Sequence, residues 1–398
     1  MKSRHILLVL FITIFIDLLG FGIIIPILPT YARTLQASSL EIGFLAASYS
    51  LMNFLFAPFW GSLSDKFGRK PIILISVAIT GLAYVVFAYS DVLCLLFVSR
   101  IIAGIGSANI SAAQAYIADV TAPEDRAKNF GIIGAAFGLG LILGPPLGGF
   151  VKTIYGIEYI GWLIVLLCTL NLILAFFLLT ESIKEKNKST RIELNPIKDI
   201  RLALRKDTIR EIMLLSFGFI VAFMMIQTTL ALLWSEQAGF DDKQNGYAFS
   251  FMGFVTVLVQ GFFVGKLNKK FGEQKLLLYG SLLLLVSGIM FPIFASKLLF
   301  IPFELFAIVL AGLASACFTP ALYAMFSQDV SMEEQGKVLG INQSFGAIAR
   351  TIGPALGGFF YDYHYFLPYW AAALFMIAVC YWAAYIPKIF ASRVSVQK

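Results

Sequence analysis

Hydrophobic residues form long uninterrupted runs, and polar residues are confined to the short stretches between them. A run of about twenty apolar residues can cross a ~30 Å hydrocarbon layer as one helix. Twelve such runs lie at residues 6–30, 40–63, 71–89, 92–118, 127–151, 157–180, 211–234, 244–265, 275–295, 299–327, 337–360 and 367–387. The pattern predicts an all-α integral membrane protein with twelve transmembrane helices.

Composition agrees with this pattern. Of the 398 residues, 59% are hydrophobic and 13% are charged, whereas soluble domains carry roughly 25% charged residues. The basic tip of the chain is typical of a signal peptide, but the apolar run behind it is full-length and contains Asp17, so we interpret it as the first helix. The few cysteines and histidines have no metal-ligand spacing, and we predict no metal, cofactor or catalytic residue.

The net charge of +7 is distributed along the chain in a way that indicates membrane topology. If the N-terminus is inside, most Lys and Arg fall in cytoplasmic segments, and two fall within spans, Arg100 and Arg350. This positive-inside pattern predicts a multi-pass protein of the cell inner (plasma) membrane with both termini in the cytoplasm. No motif supports a nucleic-acid partner.

The longest polar stretch divides the chain into two similar halves. We predict an N-terminal six-helix bundle over residues 1–180, a cytoplasmic linker over 181–210 and a C-terminal six-helix bundle over 211–398. Within the linker, apolar residues from Ile197 onward fit either a short amphipathic surface helix or a flexible tether. GPPLGGF at 144–150 and GPALGGF at 353–359 indicate an internal duplication.

Three motifs occur in order in the first half: GSLSDKFGRKP at 61–71, RIIAGIGSA at 100–108 and GLILGPPLGG at 140–149. With DLLGFGIIIPILP at 17–29 and YIADVTAPEDRAKNFG at 116–131, they resemble the major facilitator superfamily, and within it the twelve-span drug:proton antiporters that include tetracycline and multidrug efflux pumps. The resemblance implies two pseudo-symmetric six-helix bundles. It also implies proton-coupled export of small amphipathic compounds by alternating access.

The first motif combines glycines with charge. Gly61 allows close helix approach and Gly68 allows a turn, while Arg69 suits a bidentate pair with Asp119 and Asp65 suits a helix N-terminus. The resemblance implies a conformational latch that pins the two halves at the cytoplasmic side. The alternative is that these charges only fix topology.

The third motif gives the fifth span a face of small residues, formed by Gly140, Gly144, Gly148 and Gly149, and Pro145 removes a backbone donor there. The face suits a rocking surface or a seal against proton leakage. Close packing without a transport role is the alternative.

Ionisable residues inside the spans are candidates for function. Counting residues along the helices places Asp17 and Arg100 at similar depth, and likewise Glu304 and Arg350, so each acid is expected to meet a base near the midplane. We predict that these residues couple transport to protons, with Asp17 as the main carrier.

Polar, sulfur-containing and aromatic residues in the spans suggest a cavity for variable amphipathic substrates. The candidates are Asn53, Asn109, Gln114, Tyr116, Met225, Gln227, Phe254 and Asn342. Tetracycline pumps carry an acid within the third span, and this chain has none there, which argues against tetracycline-type specificity.

The leading hypothesis is therefore a monomeric, proton-driven exporter whose partners are a small-molecule substrate, protons and the lipid bilayer. The alternative is a proton-coupled transporter of a defined metabolite such as a sugar, an amino acid or a siderophore. A membrane-embedded enzyme is disfavoured because no nucleophile, base or metal set is found. A sensor or scaffold is disfavoured because both tails are short.

Overall fold

A computed structural model describes residues 2–107, 109–121, 126–182, 197–293, 297–328 and 332–394. Regular structure in these ranges is helical, and the predicted all-α membrane fold is confirmed. The elements are α1 (Lys2–Thr34), α2 (Ser39–Phe67), α3 (Arg69–Ala88), α4 (Leu93–Gly106), α5 (Asn109–Val120), α6 (Arg126–Tyr155), α7 (Ile157–Leu178), α8 (Ile197–Ala203), α9 (Asp207–Ala238), α10 (Asp242–Leu258), a π-helical segment (Val259–Phe263), α11 (Val264–Phe271), α12 (Glu273–Met290), α13 (Lys297–Gln328), α14 (Met332–Tyr363) and α15 (Leu367–Val394).

Within the described residues, ten helical segments are long and apolar enough to cross a membrane. The predicted eighth span, at 244–265, is longer in the structure and runs over Asp242–Phe271, with the π-helical segment inside it. The predicted fourth span is not one helix, because it is divided into α4 and α5.

The end of α4 leaves carbonyl groups that need partners, since hydrocarbon offers no hydrogen bonds. Side chains supply them. The Trp60 indole nitrogen donates to the Ile105 carbonyl at 2.7 Å, and the Ser107 hydroxyl donates to the Gly104 carbonyl at 3.2 Å. The Ser76 hydroxyl donates to the Gly106 carbonyl. The interruption is therefore stabilised by neighbouring helices.

The helices form two compact units. Unit 1 contains Met1–Ala37, Ser48–Pro196 and Phe240–Ser250, and unit 2 contains Ser38–Ala47, Ile197–Gly239 and Phe251–Lys398. Each unit thus includes a short segment from the opposite half of the sequence.

In unit 1, α1 packs along α6 with almost no space between their backbones. A Cβ atom built on Gly22 would lie 2.4 Å from the Gly140 carbonyl oxygen, and one on Gly144 would lie 2.7 Å from the Gly22 carbonyl carbon. Such distances exclude a side chain unless the helices separate. The glycine face predicted for the fifth span is therefore buried against α1.

In unit 2, α14 packs against α9 in the same manner. A Cβ on Gly353 would lie 2.6 Å from the Met224 Cβ, and one on Gly357 would lie 2.8 Å from the Met225 carbonyl oxygen. The two copies of the duplicated motif thus perform equivalent packing, one in each unit.

Part of the predicted linker is helical. In α8, Ile200 and Ala203 are buried and Ile197 is exposed, so this short helix has one covered side, which packs on α14. Residues 183–196, the rest of the predicted linker up to α8, lie outside the described residues.

The α1–α6 contact yields a direct prediction. Gly144→Leu should lower the thermal stability of the purified protein, because the branched side chain must push the two backbones apart. The measurement is thermal unfolding in detergent. Leu143→Ala is the matched control. Because Leu143 is exposed, this variant should unfold at nearly the same temperature as the native protein. Equal melting temperatures for Gly144→Leu and the native chain would contradict the packing.

Candidate functional site

A small cavity in unit 1 surrounds Asp17 in the middle of α1. Its other walls come from α2, α3 and the end of α4, and the lining residues are Leu18, Phe21, Tyr49, Thr80, Tyr84, Ala103 and Ser107. Hydroxyl groups therefore face the carboxyl group from three helices. The Thr80 hydroxyl is buried and has no hydrogen-bond partner in the structure, so it remains available to a water molecule, a proton carrier or a substrate.

Arg100 lies beside this cavity and is 3% exposed. One guanidinium nitrogen donates to the Ser99 hydroxyl at 3.0 Å, and the guanidinium carbon lies 5.1 Å from the Tyr84 ring centroid and 5.2 Å from the Phe87 ring centroid. Cation–π contacts therefore stabilise much of its charge.

The predicted Asp17–Arg100 ion pair is not formed in this structure, since neither an ion pair nor a hydrogen bond joins these two described residues. Instead, both groups act electrostatically on the Tyr84 hydroxyl. Counting residues gives the depth of a side chain but not its direction around the helix axis. Arg100 points to the Tyr84 and Phe87 rings of α3.

A second polar contact extends the cavity along α2. The Asn53 amide nitrogen donates to the Ser107 hydroxyl at 2.9 Å, and the Tyr49 hydroxyl also interacts with Ser107. Among the predicted cavity residues, Asn53 is thus connected to the Asp17 cavity. Tyr49 and Thr80 are lining residues that the sequence analysis missed, and their polar atoms within apolar runs were the available signal.

Tyr116 and Gln114, two other candidates of unit 1, are not among the residues that line this cavity. Tyr116 is fully buried, and its hydroxyl donates to the Thr180 carbonyl at the end of α7. It therefore supports packing at that end. Gln114 is partly buried in α5. Asn109 begins α5, but its side chain lies outside the described part of the chain.

In unit 2, the predicted Glu304–Arg350 pair is also not formed. The Trp234 indole nitrogen donates to a carboxyl oxygen of Glu304 at 2.5 Å. Arg350 donates to the Gln343 carbonyl at 3.4 Å and acts electrostatically on Tyr323. Glu304 lies seven residues from the start of α13, whereas Arg350 lies in the middle of α14, so the two side chains are not at matched positions along their helices.

The remaining candidates of unit 2 differ in burial and contacts. Met225 is buried against Gly357, Asn342 is buried with an amide oxygen that has no hydrogen-bond partner, Gln227 is partly buried, and Phe254 is 49% exposed. The structure therefore leaves their substrate role a prediction.

The charged motif between α2 and α3 forms a compact cluster. Arg69 contacts the Asp65 carboxylate at 2.5 Å and the Asp119 carboxylate at 3.1 Å. The same guanidinium donates to the Ser64 hydroxyl at 2.6 Å, and the Ser182 hydroxyl donates to Asp119 at 2.9 Å. These partners all belong to unit 1, so the cluster joins the ends of α2, α3, α5 and α7. The predicted latch was to pin the two halves, whereas the described contacts of this cluster lie within the first half.

Glu181 completes this cluster and was missed from the sequence. Its carboxylate accepts the backbone N–H groups of Arg69 at 2.9 Å and Lys70 at 3.3 Å, which places an anion at the N-terminus of α3. Gly68 has a φ of 114°, and a Cβ there would collide with Glu181. The sequence signal that could have identified Glu181 is an acidic residue directly after a predicted span.

Gly61 differs from its expected role. A Cβ atom at this position would meet nothing within 4 Å, so close helix packing does not require glycine at this position of α2 in this structure. Of these two glycines, only Gly68 lies where an added side chain would collide with a described residue.

The duplicated motif makes a second contact, with helix N-termini. A Cβ on Gly149 would lie 2.5 Å from the Asp242 carbonyl oxygen, and one on Gly246 would lie 2.4 Å from the Pro145 carbonyl oxygen. In unit 2, Gly358 and Ser39, and Pro354 and Gly43, repeat these two contacts. Each copy therefore receives the first turns of a helix from the opposite half of the sequence, which explains the composition of the units.

Polar groups fix these helix starts. Lys152 contacts the Asp242 carboxylate at 2.8 Å, and the Thr30 hydroxyl donates to the same carboxylate at 2.6 Å. In unit 2, the Asp362 carboxylate accepts the backbone N–H groups of Ser39 at 2.6 Å and Leu40 at 2.9 Å. We call the first arrangement, Thr30, Lys152 and Asp242, the lysine clasp.

Comparison with known proteins shows which class of protein this chain belongs to. The family model of the Major Facilitator Superfamily matches residues 10–303 and 261–395. The chain belongs to the major facilitator superfamily and is a multi-pass membrane transporter rather than an enzyme.

The chain is similar along most of its length to individual members of this family. The tetracycline resistance protein, class C, of Escherichia coli is 31% identical over 364 residues, which are 89% of each chain. Multidrug resistance protein 2 of Bacillus subtilis (strain 168) is 29% identical over 395 residues, which are 94% of each chain. The crystal structure of the human organic anion transporter MFSD10 superposes with a TM-score of 0.73 at 24% identity, covering 96% of this chain and 99% of that one.

The Arg69 cluster generates a prediction for transport. Under the latch hypothesis, Arg69→Ala should leave membrane insertion intact and slow transport by about tenfold or more, because the lost contact would bias one conformation without touching substrate. The readout is initial transport rate per inserted molecule. Lys66→Gln is the control, since the described contact of Lys66 is the neighbouring Phe67 ring. Native rates in correctly folded Arg69→Ala protein would sink the latch hypothesis.

The lysine clasp generates a stability prediction. Lys152→Met should cost about 1–3 kcal/mol of unfolding free energy, because the partly buried Asp242 carboxylate loses a charged partner. Amide hydrogen exchange in 240–250 should rise at the same time. Exchanging the charges, Lys152→Asp with Asp242→Lys, should restore much of the loss, whereas Lys266→Met at an exposed site should change neither quantity. An unchanged exchange rate in Lys152→Met would argue that the clasp contributes nothing.

Proposed function

We propose that this transporter is a proton-driven exporter of small amphipathic compounds. It lies in the cell inner (plasma) membrane with both termini in the cytoplasm. It works as a monomer by alternating access. The observation that carries the proposal is the membrane-embedded Asp17 carboxyl group in a hydroxyl-lined cavity, on the helix that packs against the glycine face of α6. Relatives named for tetracycline and multidrug resistance support export.

In this proposal, Asp17 binds and releases the coupling proton. A carboxyl group in an apolar membrane interior favours its neutral form, and approach of a cation favours its charged form. Tyr84 interacts electrostatically with both Asp17 and Arg100, and Arg100 is held by contacts with rings and one hydroxyl. A shift of α1 relative to α3 and α4 changes the distance between Asp17 and Arg100 and so changes the proton affinity of Asp17.

The conformational change itself is assigned to contacts at helix ends. The Arg69 cluster joins helix ends within unit 1 and is assigned to the cytoplasmic side. The lysine clasp, also within unit 1, holds the start of α10, and the Asp362 contact, within unit 2, holds the start of α2. Alternating access changes which of these helix-end contacts are formed.

The substrate is proposed as a variable amphipathic compound rather than tetracycline alone. α3 runs over Arg69–Ala88 and contains no acidic residue, unlike the third span expected of tetracycline pumps. The cavity presents a carboxyl group, hydroxyls and aromatic rings, which suit a cationic or zwitterionic amphipathic molecule.

A second candidate function is transport of a defined metabolite such as a sugar, an amino acid or a siderophore. One observation favours it: Arg100 is a buried cation whose described contacts, Ser99, Tyr84 and Phe87, carry no charge. Such a group can bind the carboxylate of an amino acid or another anionic metabolite.

Proteoliposomes with an imposed pH gradient distinguish these functions. The panel contains cationic, neutral and zwitterionic amphipathic compounds, tetracycline, an amino acid and an organic anion. Gradient-driven accumulation of several cationic or zwitterionic compounds supports the exporter. Accumulation of one anionic metabolite alone would favour the second candidate.

The central prediction concerns Asp17. Asp17→Asn should abolish uphill transport driven by the pH gradient while substrate binding and downhill exchange persist, because the amide fills the same space but cannot release a proton. Gln114→Glu, which adds an acid away from the described cavity lining, should not restore coupling. Concentration of substrate by Asp17→Asn under a pH difference would overturn the assignment.

A further inference from the structure

The loop between α2 and α3 has a second copy in unit 2, between α11 and α12. The sequence GKLNKKFGEQK at 265–275 repeats the pattern of GSLSDKFGRKP at 61–71. Both loops turn at a glycine with positive φ, which is 114° at Gly68 and 77° at Gly272. In each copy the next helix begins at the residue after this glycine. The shape of the backbone is therefore similar in the two copies.

The second copy lacks the ion pair of the first. Lys269 occupies the position of Asp65, and Glu273 occupies the position of Arg69, so the same carboxylate–guanidinium contact cannot form. Glu273 instead accepts a hydrogen bond from the Asn268 amide nitrogen at 2.9 Å. The role of the Arg69 cluster therefore does not extend to this loop, and the charges of the loop need another explanation.

Exposed lysines are concentrated on this loop. α11 has no buried residue. The exposed lysines of α11 and of the first turn of α12 are Lys266, Lys269, Lys270 and Lys275. Among the described residues, no ion pair joins any of these lysines to an acid, and a Cβ atom on Gly272 would meet nothing within 4 Å. The loop therefore presents positive charge that the described part of the chain does not neutralise.

Two exposed aromatic rings precede these lysines. Phe262 is 75% exposed and Phe263 is 47% exposed, and both belong to the π-helical segment. Residues three or four apart share a helix face. Lys266 therefore continues the face of the two rings, and Lys269 and Lys270 continue the face of Lys266. Apolar rings followed by ammonium groups suit the boundary between hydrocarbon and lipid headgroups.

The length of the span places the lysines at that boundary. The segment Asp242–Phe271 has 30 residues, which is about 45 Å at 1.5 Å per residue, whereas the hydrocarbon layer is ~30 Å thick. The segment is therefore longer than the layer, and its charged end extends into the headgroup region.

We propose that Phe262, Phe263, Lys266, Lys269 and Lys270 bind an anionic phospholipid, and we call these residues the headgroup surface. The rings lie among acyl chains, and the ammonium groups contact the phosphate. Charge complementarity selects an anionic lipid, because a zwitterionic headgroup carries its own cation. The positive-inside rule explains lysines on this side of the membrane but not their alignment behind exposed rings. The proposal rests on the proposed function only for the side of the membrane, which is the cytoplasmic leaflet.

Native mass spectrometry of the purified full-length protein tests the headgroup surface. The probes are phosphatidylglycerol, which is anionic, and phosphatidylcholine with the same acyl chains. The native chain should retain phosphatidylglycerol in preference to phosphatidylcholine. Lys269→Gln with Lys270→Gln should weaken the retention of phosphatidylglycerol by about tenfold or more, because two cations that attract the headgroup are lost. The matched control, Arg201→Gln with Arg205→Gln, removes two other exposed cations of unit 2 and should retain the lipid as the native chain does.

Charge rather than shape should determine this binding, so Lys269→Arg with Lys270→Arg should retain phosphatidylglycerol. Equal retention of the two lipids by the native chain would overturn the proposal. Equal losses in the lysine and arginine pairs would also overturn it, because net charge and not this surface would then attract the lipid. Displacement of the lipid by inorganic phosphate would contradict the assignment to a lipid. No arm uses a pH gradient or a transported substrate, so this proposal and the proposed function can fail separately.

Discussion

The structure depends on one constraint: inside hydrocarbon, every polar group must find its partner within the protein. The chain satisfies it by building helices throughout the described residues and by placing side chains wherever a helix is interrupted. At the end of α4, Trp60, Ser76 and Ser107 supply hydrogen bonds to three freed carbonyl groups. The same constraint makes Asp17, Arg100 and Glu304 informative, because such groups persist in a membrane only where they are compensated or used.

Each of the charged or acidic side chains is stabilised by a different kind of partner. Arg100 is stabilised by aromatic rings, Glu304 by an indole N–H, and Arg69 by two carboxylates. Glycine is used where backbones touch. The face of α6 packs on α1 and receives the start of α10, and the equivalent face of α14 packs on α9 and receives the start of α2. A motif that was duplicated in sequence therefore supplies the same two contacts in each unit.

The sequence predicted the helical membrane fold and the residues of the Arg69–Asp119 contact, because hydrophobic runs and charged interruptions are local signals. Its pairing of the acids and bases inside the spans was wrong. Depth along a helix follows from residue counting, whereas the direction of a side chain depends on packing between helices, so Arg100 faces Tyr84 and Glu304 faces Trp234. Glu181 was missed because its role depends on the fold that brings the end of α7 to the start of α3.

If Asp17 carries the coupling proton, substrate binding should release that proton. The most direct measurement adds substrate to purified protein in weakly buffered detergent solution and follows proton release with a pH-sensitive dye. We expect a release that saturates with substrate binding and disappears in Asp17→Asn while binding remains. Substrate binding to the native protein without proton release at any pH, or an undiminished release from Asp17→Asn, would contradict it.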